Sequence, residues 1–468
     1  MITDEVFLKL TEIVGISNVF LDQETLNDYG KDHTEDLIFP PNVVVKPNST
    51  EQISKIMKLA FEFEIPVVPI GARTGLSGGI LAVQKGIGLS LERLNKIEKI
   101  DEENLQIVTQ PGVITEVLQN AVAEKGLFYP VDPSSKGSCF IGGNVAENAG
   151  GARAVKYGVT KDYVLNLEVV LPNGDIIWTA ANTLKNATGY NLTQLMIGSE
   201  GTLGIVTKIV LKLLPTVRYN VLLLVPFFKM EQAAAAVSAV FRAGIVPSAL
   251  EFMERDAIEW TKKFTEVPDL NLKPEIEAHL LIEVDGNYPD VLMNEAEKIL
   301  NVVEAYEIDE VLFADTEDQK QTLWKLRRNV AEAVKQNTVY KEEDTVVPRY
   351  ELPKLLKGIK EIGVKYGFKS ICYGHAGDGN LHVNIVKLDL PDELWKSEVP
   401  KGVKEIFELT KSLNGTISGE HGIGWVQKEF MPIAFSEIEL NLMHQIKKIF
   451  DPKNIMNPGK IFPSTYQY

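Results

Sequence analysis

The chain has 468 residues, more than one hydrophobic core normally supports, so two or more domains are expected. Its 45% hydrophobic and 24% charged content are those of an ordinary globular protein. A net charge of −16 argues against nucleic acid or an anionic membrane as the main partner, because both demand a basic footprint, but leaves small anionic substrates open.

Only Cys139 and Cys372 are present, so no Cys₄ iron–sulfur cluster fits on this chain, and a reducing compartment is the simplest reading. The opening MITDEVFLKLTEIVG lacks the basic region of a signal peptide, and the most apolar run, Val221 to Phe228, is too short to span a bilayer. A cytoplasmic protein with no integral membrane segment is expected.

Residues 1–31 read as a helical lead-in, closed by the Pro40-Pro41 punctuation that follows. Val43–Val45 reads as a strand, and Ser49 to Gln52 as a capping box ahead of Ile53, Ile56, Met57, Ala60 and Phe61 at helical spacing. Residues 66–70 form a strand that feeds a Gly-rich loop, PIGARTGLSGG, at 69–79. Leu105 to Thr109, a helix through Leu118 and Val122, and Val164 to Val170 continue an alternating pattern. LPNGD at 171–175 is a hairpin turn. Between these elements lies the run DPSSKGSCFIGGNVAENAGGARAVKYG, Asp132 to Gly158, with six Gly against about two expected. Such a run brings bare backbone N–H groups close to a polyanionic ligand rather than building a core. A third Gly stretch, IGSEGTLGIV at 197–206, precedes a strand that Pro215 stops.

Beyond Pro215 the Gly loops vanish. Strands at 221–225 and 280–284, with helices at 230–243, 289–301, 396–413 and 436–449, predict an α+β domain with a helix-covered antiparallel sheet. The stretch 302–329 reads as helical and charged. Three of the six His fall in two Gly-flanked stretches, GHAGDGNLHVN at 374–384 and SGEHGIG at 418–424. A strand from Leu381 puts His382 and Asn384 on one face, and His375 sits on a turn that can swing back towards it. Imidazoles with a carboxylate suit Zn²⁺, Fe²⁺ or Mn²⁺, though core or turn histidines are an equal reading of these residues alone. His33, His279 and His444 lack such company and read as structural.

The three Gly stretches, in this order and spacing, resemble the FAD-binding domain of the vanillyl-alcohol-oxidase/p-cresol-methylhydroxylase superfamily. They do not fit the G-x-G-x-x-G fingerprint of a doubly wound sheet. GHAGDGNLH, SGEHGIG and the NPGK tail are similar to the FAD-linked D-2-hydroxyacid dehydrogenases, the group with D-lactate dehydrogenases, D-2-hydroxyglutarate dehydrogenases and the glycolate oxidase GlcD-like subunit. The resemblance implies an α+β fold: a two-part FAD-binding domain at 32–217 and a substrate domain at 218–468 whose C-terminal segment returns to the flavin.

It also implies roles. Pro69, Ile70, Gly71, Ala72, Arg73, Thr74, Gly75 and Ser77 would cradle the FAD pyrophosphate. Asp132, Pro133, Ser135, Ser138, Gly142, Gly143, Asn144, Asn148, Gly150 and Gly158 would follow the flavin and its ribityl chain, with Glu200, Gly204, Ile205 and Asn457 closing the site. His375, His382 and Glu420 would hold a divalent metal and His421 would be the base. Asn384 would line the substrate site, and Arg327 would take the substrate carboxylate. The first loop has no His for a covalent flavin link, so non-covalent FAD is expected.

Dicarboxylate-specific members carry Lys where this chain has Glu342, which favours a short monocarboxylate such as D-lactate, then glycolate, over 2-hydroxyglutarate. The acceptor of the electrons stays open among a quinone, a cytochrome, an electron-transferring flavoprotein and an iron–sulfur subunit. Three further readings stand beside this one: a flavin electron-transfer subunit with a degenerate pocket, a D-2-hydroxyglutarate dehydrogenase, and a metal-free oxidase of sugars or alkyl phosphates.

Overall fold

The computed structural model describes residues 2–34, 37–266 and 273–466. The chain folds as two units. One holds the chain up to Gly150, Val159–Thr216 and everything from Glu420 onward; the other holds Gly151–Gly158 and Val217–Gly419.

In the first unit, among the described residues, β1 (Val19–Phe20), β2 (Val43–Val45), β3 (Val67–Ile70) and β4 (Ile87–Ser90) form a sheet of order β1-β2-β4-β3. β2 and β3 run parallel to β4. The helix Thr50–Phe63 makes the crossover. Ser49 caps it by accepting from Gln52 N, but the Gln52 side chain reaches Asn48 N instead of closing the box on Ser49. The expected lead-in is not separate. β1 pairs antiparallel with β2, and Val6, Leu10 and Val14 of helix Asp4–Val14 share a core with Val43, Ile53 and Met57.

A second sheet joins β5 (Ile97–Asp101), β6 (Gln106–Thr109), β8 (Val164–Val170), β9 (Ile176–Trp178) and β10 (Ile205–Lys212) in the order β5-β6-β10-β8-β9. β7 (Leu127–Phe128) and β11 (Leu214–Pro215) pair apart from it. The turn at 171–175 closes the β8–β9 hairpin, with Gly174 at φ 85° where a side chain would strike Lys58 and the Ser54 carbonyl. The Gly-rich run is not all loop: Ile141–Glu147 and Ala154–Tyr157 are short helices.

The second unit is built on a seven-stranded antiparallel sheet of order β15-β12-β14-β13-β17-β18-β16. Its strands are β12 (Tyr219–Phe227), β13 (Ala249–Glu254), β14 (Ala278–Gly286), β15 (Leu312–Ala314), β16 (Tyr340–Val346), β17 (Lys369–Gly374) and β18 (Asn380–Val386). The expected helix at 302–329 is interrupted, because β15 adds to the edge of β12 before helix Glu317–Arg328 begins.

One face of this sheet buries Leu222, Leu224, Met253, Leu281, Ile371 and Tyr373 against helices Arg255–Phe264, Glu317–Arg328 and Val330–Lys335. Each such side chain removed from water contributes about 1.5–3 kcal/mol. The opposite face buries Leu223, Val225, Phe252 and Ile282, and helices Met230–Arg242, Pro289–Val303 and Leu352–Tyr366 pack on the sheet. Gly151–Gly158, expected to run with the flavin domain, docks on this unit instead. Lys156 Nζ donates to Asp285 at 2.5 Å, Tyr157 Oη does so at 2.7 Å, and Val155 lies against Gly377.

Candidate active site

In the first unit β3 runs into the loop from Gly71 to Gly79. A Cβ added at Gly71 would meet only the Gly143 Cα at 3.9 Å, and one at Gly143 would meet nothing within 4 Å. The backbones of these two Gly-rich segments therefore approach one another beside open space, the cradle that a large phosphate-bearing cofactor needs. Ser77 is buried; its carbonyl accepts from Trp425 N and Val426 N, and its hydroxyl has no hydrogen-bond partner among the described residues. The residues present fit an FAD.

Several side chains expected as ligands have other partners. The Arg73 guanidinium stacks over the Tyr29 ring at 4.4 Å and pairs with the Asp28 carboxylate. What Arg73 brings to the loop is its backbone at φ 64° rather than a free cation. Asn144 Nδ2 donates to Thr115 Oγ1 at 2.7 Å, and Asn148 Oδ1 accepts from Lys161 N. Ser135 and Ser138 bond within their own turn. Gly204 holds a place where a Cβ would lie 2.6 Å from Val169 Cγ1, and Ile205 opens β10.

Glu200 and Asn457 tie loops together. The Glu200 carboxylate accepts from Ile423 N at 2.8 Å and Gly424 N at 2.6 Å. Asn457 Nδ2 donates to the Gly79 and Glu200 carbonyls. Around them gather Glu147, Asp32 and Lys460, which the sequence reading did not single out. Burial and the charges of Glu200 and Asp32 push Glu147 up. Burial brings Lys460 down to about 7, against the pull of Glu200 and Asp32. Glu420 and His421 also belong to this unit, and Gly150 leaves room for the Glu420 carboxylate, which a Cβ would approach to 3.0 Å.

The second unit assembles the other expected residues on the face that carries Tyr373. Antiparallel register sets Glu342 beside Asn384, Asp344 beside His382, and His382 beside Tyr373. His375 follows β17 on a turn that Gly379 makes possible. Its φ is 84°, and a side chain there would lie 1.9 Å from the Val347 carbonyl. The His375 and His382 rings stand edge to face, with centroids 5.4 Å apart. Asn384 Nδ2 donates to Tyr373 Oη at 3.0 Å, and Tyr373 Oη reaches Glu342 Oε1 at 3.4 Å.

Arg327 comes in from helix Glu317–Arg328. Its guanidinium lies 4.9 Å from the centre of the Tyr373 ring, and its Nη2 is 2.7 Å from Glu251 Oε2. The Arg327 Nε is buried with no hydrogen-bond partner among the described residues. Burial would raise the Glu251 carboxyl, but His375 and Arg327 outweigh it and hold the group below its ordinary value. Asp344, fully buried, accepts from Asn380 Nδ2 at 2.6 Å and from Gly419 N at 2.8 Å, which anchors the backbone entering the SGEHG stretch.

Glu251, Asp344 and Tyr373 were missed from sequence. For Asp344 the signal was there, since a period of two from Glu342 places it on the same face. Glu251 gave no such signal, because its strand was not foreseen. Of the remaining histidines, His279 is buried and neutral, with burial lowering it to about 4, and His444 packs edge-on against Phe462 and Tyr466.

Comparison with known proteins gives the family. Residues 41–180 match an FAD binding domain, and residues 216–461 match the C-terminal domain of FAD linked oxidases. The chain is 39% identical over 465 residues to the glycolate oxidase subunit GlcD of Bacillus subtilis, covering 99% of this chain and 97% of that one. It is 39% identical to a D-lactate dehydrogenase of Anaerostipes hadrus, covering 98% of each. It is 35% identical to the D-2-hydroxyglutarate dehydrogenase of Stutzerimonas stutzeri, covering 97% of this chain and 98% of that one. Among solved structures, p-cresol methylhydroxylase superposes with a TM-score of 0.81 at 17% identity, over 100% of this chain and 99% of that one. With a flavin cradle in one unit and a buried Arg–Glu–His cluster in the other, the chain has the fold of p-cresol methylhydroxylase and belongs to the FAD-linked oxidases, among enzymes of the glycolate oxidase GlcD, D-lactate and D-2-hydroxyglutarate dehydrogenase type.

Proposed function

We propose that this enzyme oxidises a short D-2-hydroxy acid, D-lactate before glycolate, to the 2-oxo acid, and that a separate protein removes the electrons. The observation that carries the substrate side is Arg327. A planar, permanently charged guanidinium, buried with one donor unpaired, suits a carboxylate that can accept in its plane. Asn384 and Tyr373 line the same face.

FAD, held without a covalent bond, supplies a hydride acceptor for C2 of the substrate. His375, His382 and Glu420 would hold a divalent transition metal (Zn, Fe or Mn), which lowers the pKa of a hydroxyl bound to it. The donor chemistry fits: the Nδ1 of His375 is committed to Glu251, so the other ring nitrogen is the one that can ligate. His421 follows Glu420 directly and, as a neutral imidazole, takes the hydroxyl proton. Arg327 holds the carboxylate so that C2 keeps one orientation.

Substrate size follows from Glu342. Its side chain is 8% exposed, and its Oε1 lies 3.8 Å from His382 Nδ1. An anion on this face repels a second carboxylate on the substrate, although Lys335 Nζ, 4.0 Å from Oε2, offsets part of that charge. Relatives named as a subunit support a multi-subunit assembly; the proposed partner is an electron-transferring flavoprotein or an iron–sulfur subunit. Among the described residues no helix is long and apolar enough to cross a membrane.

Anaerobic titration tests the proposal. D-lactate should bleach the flavin absorbance, L-lactate should not, and D-2-hydroxyglutarate should do so far more slowly. A flavin that no 2-hydroxy acid reduces, in a sample that dithionite still bleaches, would favour the electron-transfer-subunit reading instead.

A further inference from the structure

Glu251 stands on β13 with 0% exposure, and a carboxylate so placed is costly unless its oxygens are satisfied. Its partners are two groups of the proposed site. His375 Nδ1 lies 2.8 Å from Oε1 and 2.9 Å from Oε2, and Arg327 Nη2 lies 2.7 Å from Oε2. An ionised carboxylate only accepts, so the His375 Nδ1 must carry the hydrogen, and in the neutral ring the lone pair is then on Nε2. The same oxygen pair engages one terminal nitrogen of Arg327 and leaves its Nε to other ligands.

Glu254, three residues further along the strand, is a natural contrast. It is buried as well, but its partners are Lys360 Nζ at 2.7 Å and the backbone N–H of Cys372 at 2.8 Å. That pairing is structural. Glu251, by comparison, meets an imidazole and a guanidinium that both have proposed tasks elsewhere.

We propose that Glu251 is a positioning residue that sets both halves of the substrate site with one carboxylate. It fixes His375 in the Nδ1-protonated tautomer, with Nε2 presented as a ligand, and it turns Arg327 so that its Nε edge meets the substrate carboxylate. The inference rests on the reading of His375 as a metal ligand and Arg327 as the carboxylate partner.

The test uses Glu251→Gln in the FAD-loaded full chain, with Glu254→Gln as the control. A Gln oxygen can accept from one partner, while its amide points a donor at the other. Zn²⁺ affinity, measured by competition with a chromophoric chelator, should fall about 10–100-fold, as when other outer-shell partners of metal ligands are removed. KM for D-lactate should rise about tenfold or more, with FAD content unchanged. Glu254→Gln should lower the unfolding temperature and leave Zn²⁺ affinity as it was. A folded Glu251→Gln protein with wild-type Zn²⁺ affinity and KM overturns the proposal.

If Glu251→Gln does not fold, the wild-type protein still decides. Long-range ¹H–¹⁵N spectra of histidine-labelled enzyme contain six imidazoles, and His375 is identified by its loss in His375→Gln. An Nδ1-protonated His375 is expected, and an Nε2-protonated one overturns the assignment. If the wild-type enzyme takes up no Zn²⁺ at all, the metal reading falls, while the tautomer and the KM shift still judge Glu251.

Discussion

His421 carries the heaviest chemical load of any single residue in this account. A general base contributes about 10²–10⁴ in rate, so His421→Asn should slow anaerobic flavin reduction by that factor while FAD and metal contents stay at wild-type levels. The sign of the pH effect is fixed by the imidazole. Below its pKa the ring is protonated and cannot accept, so wild-type reduction falls on the acid side, and the variant should lose that limb. Loss of metal from the variant would make His421 a ligand instead. Glu342 is proposed to govern choice rather than rate. Glu342→Lys exchanges repulsion for attraction at a buried position, worth roughly 1.5–3 kcal/mol once solvent screening is allowed for. The ratio of kcat/KM for D-2-hydroxyglutarate to that for D-lactate should therefore rise about 10–100-fold. An unchanged ratio would remove Glu342 from the selectivity argument.

At the scale of elements, the site depends on turns that only Gly can make. Gly379 sets the path from His375 into β18, at φ 84° with a carbonyl where a Cβ would be. Gly379→Ala should cost about 2–4 kcal/mol in chemical denaturation, since strain and clash add. Gly126 has φ 70° but open space around it, so Gly126→Ala should cost only about 1 kcal/mol. Equal losses would show that crowding at Gly379 is unimportant.

Most elements with a clear period were legible in the sequence: Val164–Val170 emerged with its expected bounds, and the turn at 171–175 closed the expected hairpin. What escaped was set by long-range pairing. β13, ALEFME, alternates too weakly to announce a strand; it is read as one only between β14 and β17, and Glu251 was hidden with it. β15 is three residues at a sheet edge inside a charged stretch. Arg73 could be seen as the charge of its loop, but its Asp28 partner lies 45 residues away in sequence.

On the scale of the whole molecule, the chain visits its two units out of order. It leaves the first at Gly151, returns at Val159, departs again at Val217 and comes back at Glu420. The motif SGEHG straddles that last crossing: Gly419 N is held by Asp344 in one unit, while Glu420 and His421 are counted with the other. Chain length led to an expectation of two or more domains, and the resemblance supplied the fold type, but the placing of Gly151–Gly158 with the second unit follows from Lys156 and Tyr157 meeting Asp285.

A divalent metal held by this chain is proposed to be needed for a D-2-hydroxy acid to reduce its flavin. The most direct measurement is rapid-mixing anaerobic reduction by D-lactate, before chelation, after chelation and after metal is restored. Chelation should leave the FAD bound and bleachable by dithionite and lower reduction by D-lactate at least about 100-fold, and Zn²⁺ or Mn²⁺ should bring it back. Full-rate reduction by D-lactate in a sample that elemental analysis shows to be metal-free would contradict it.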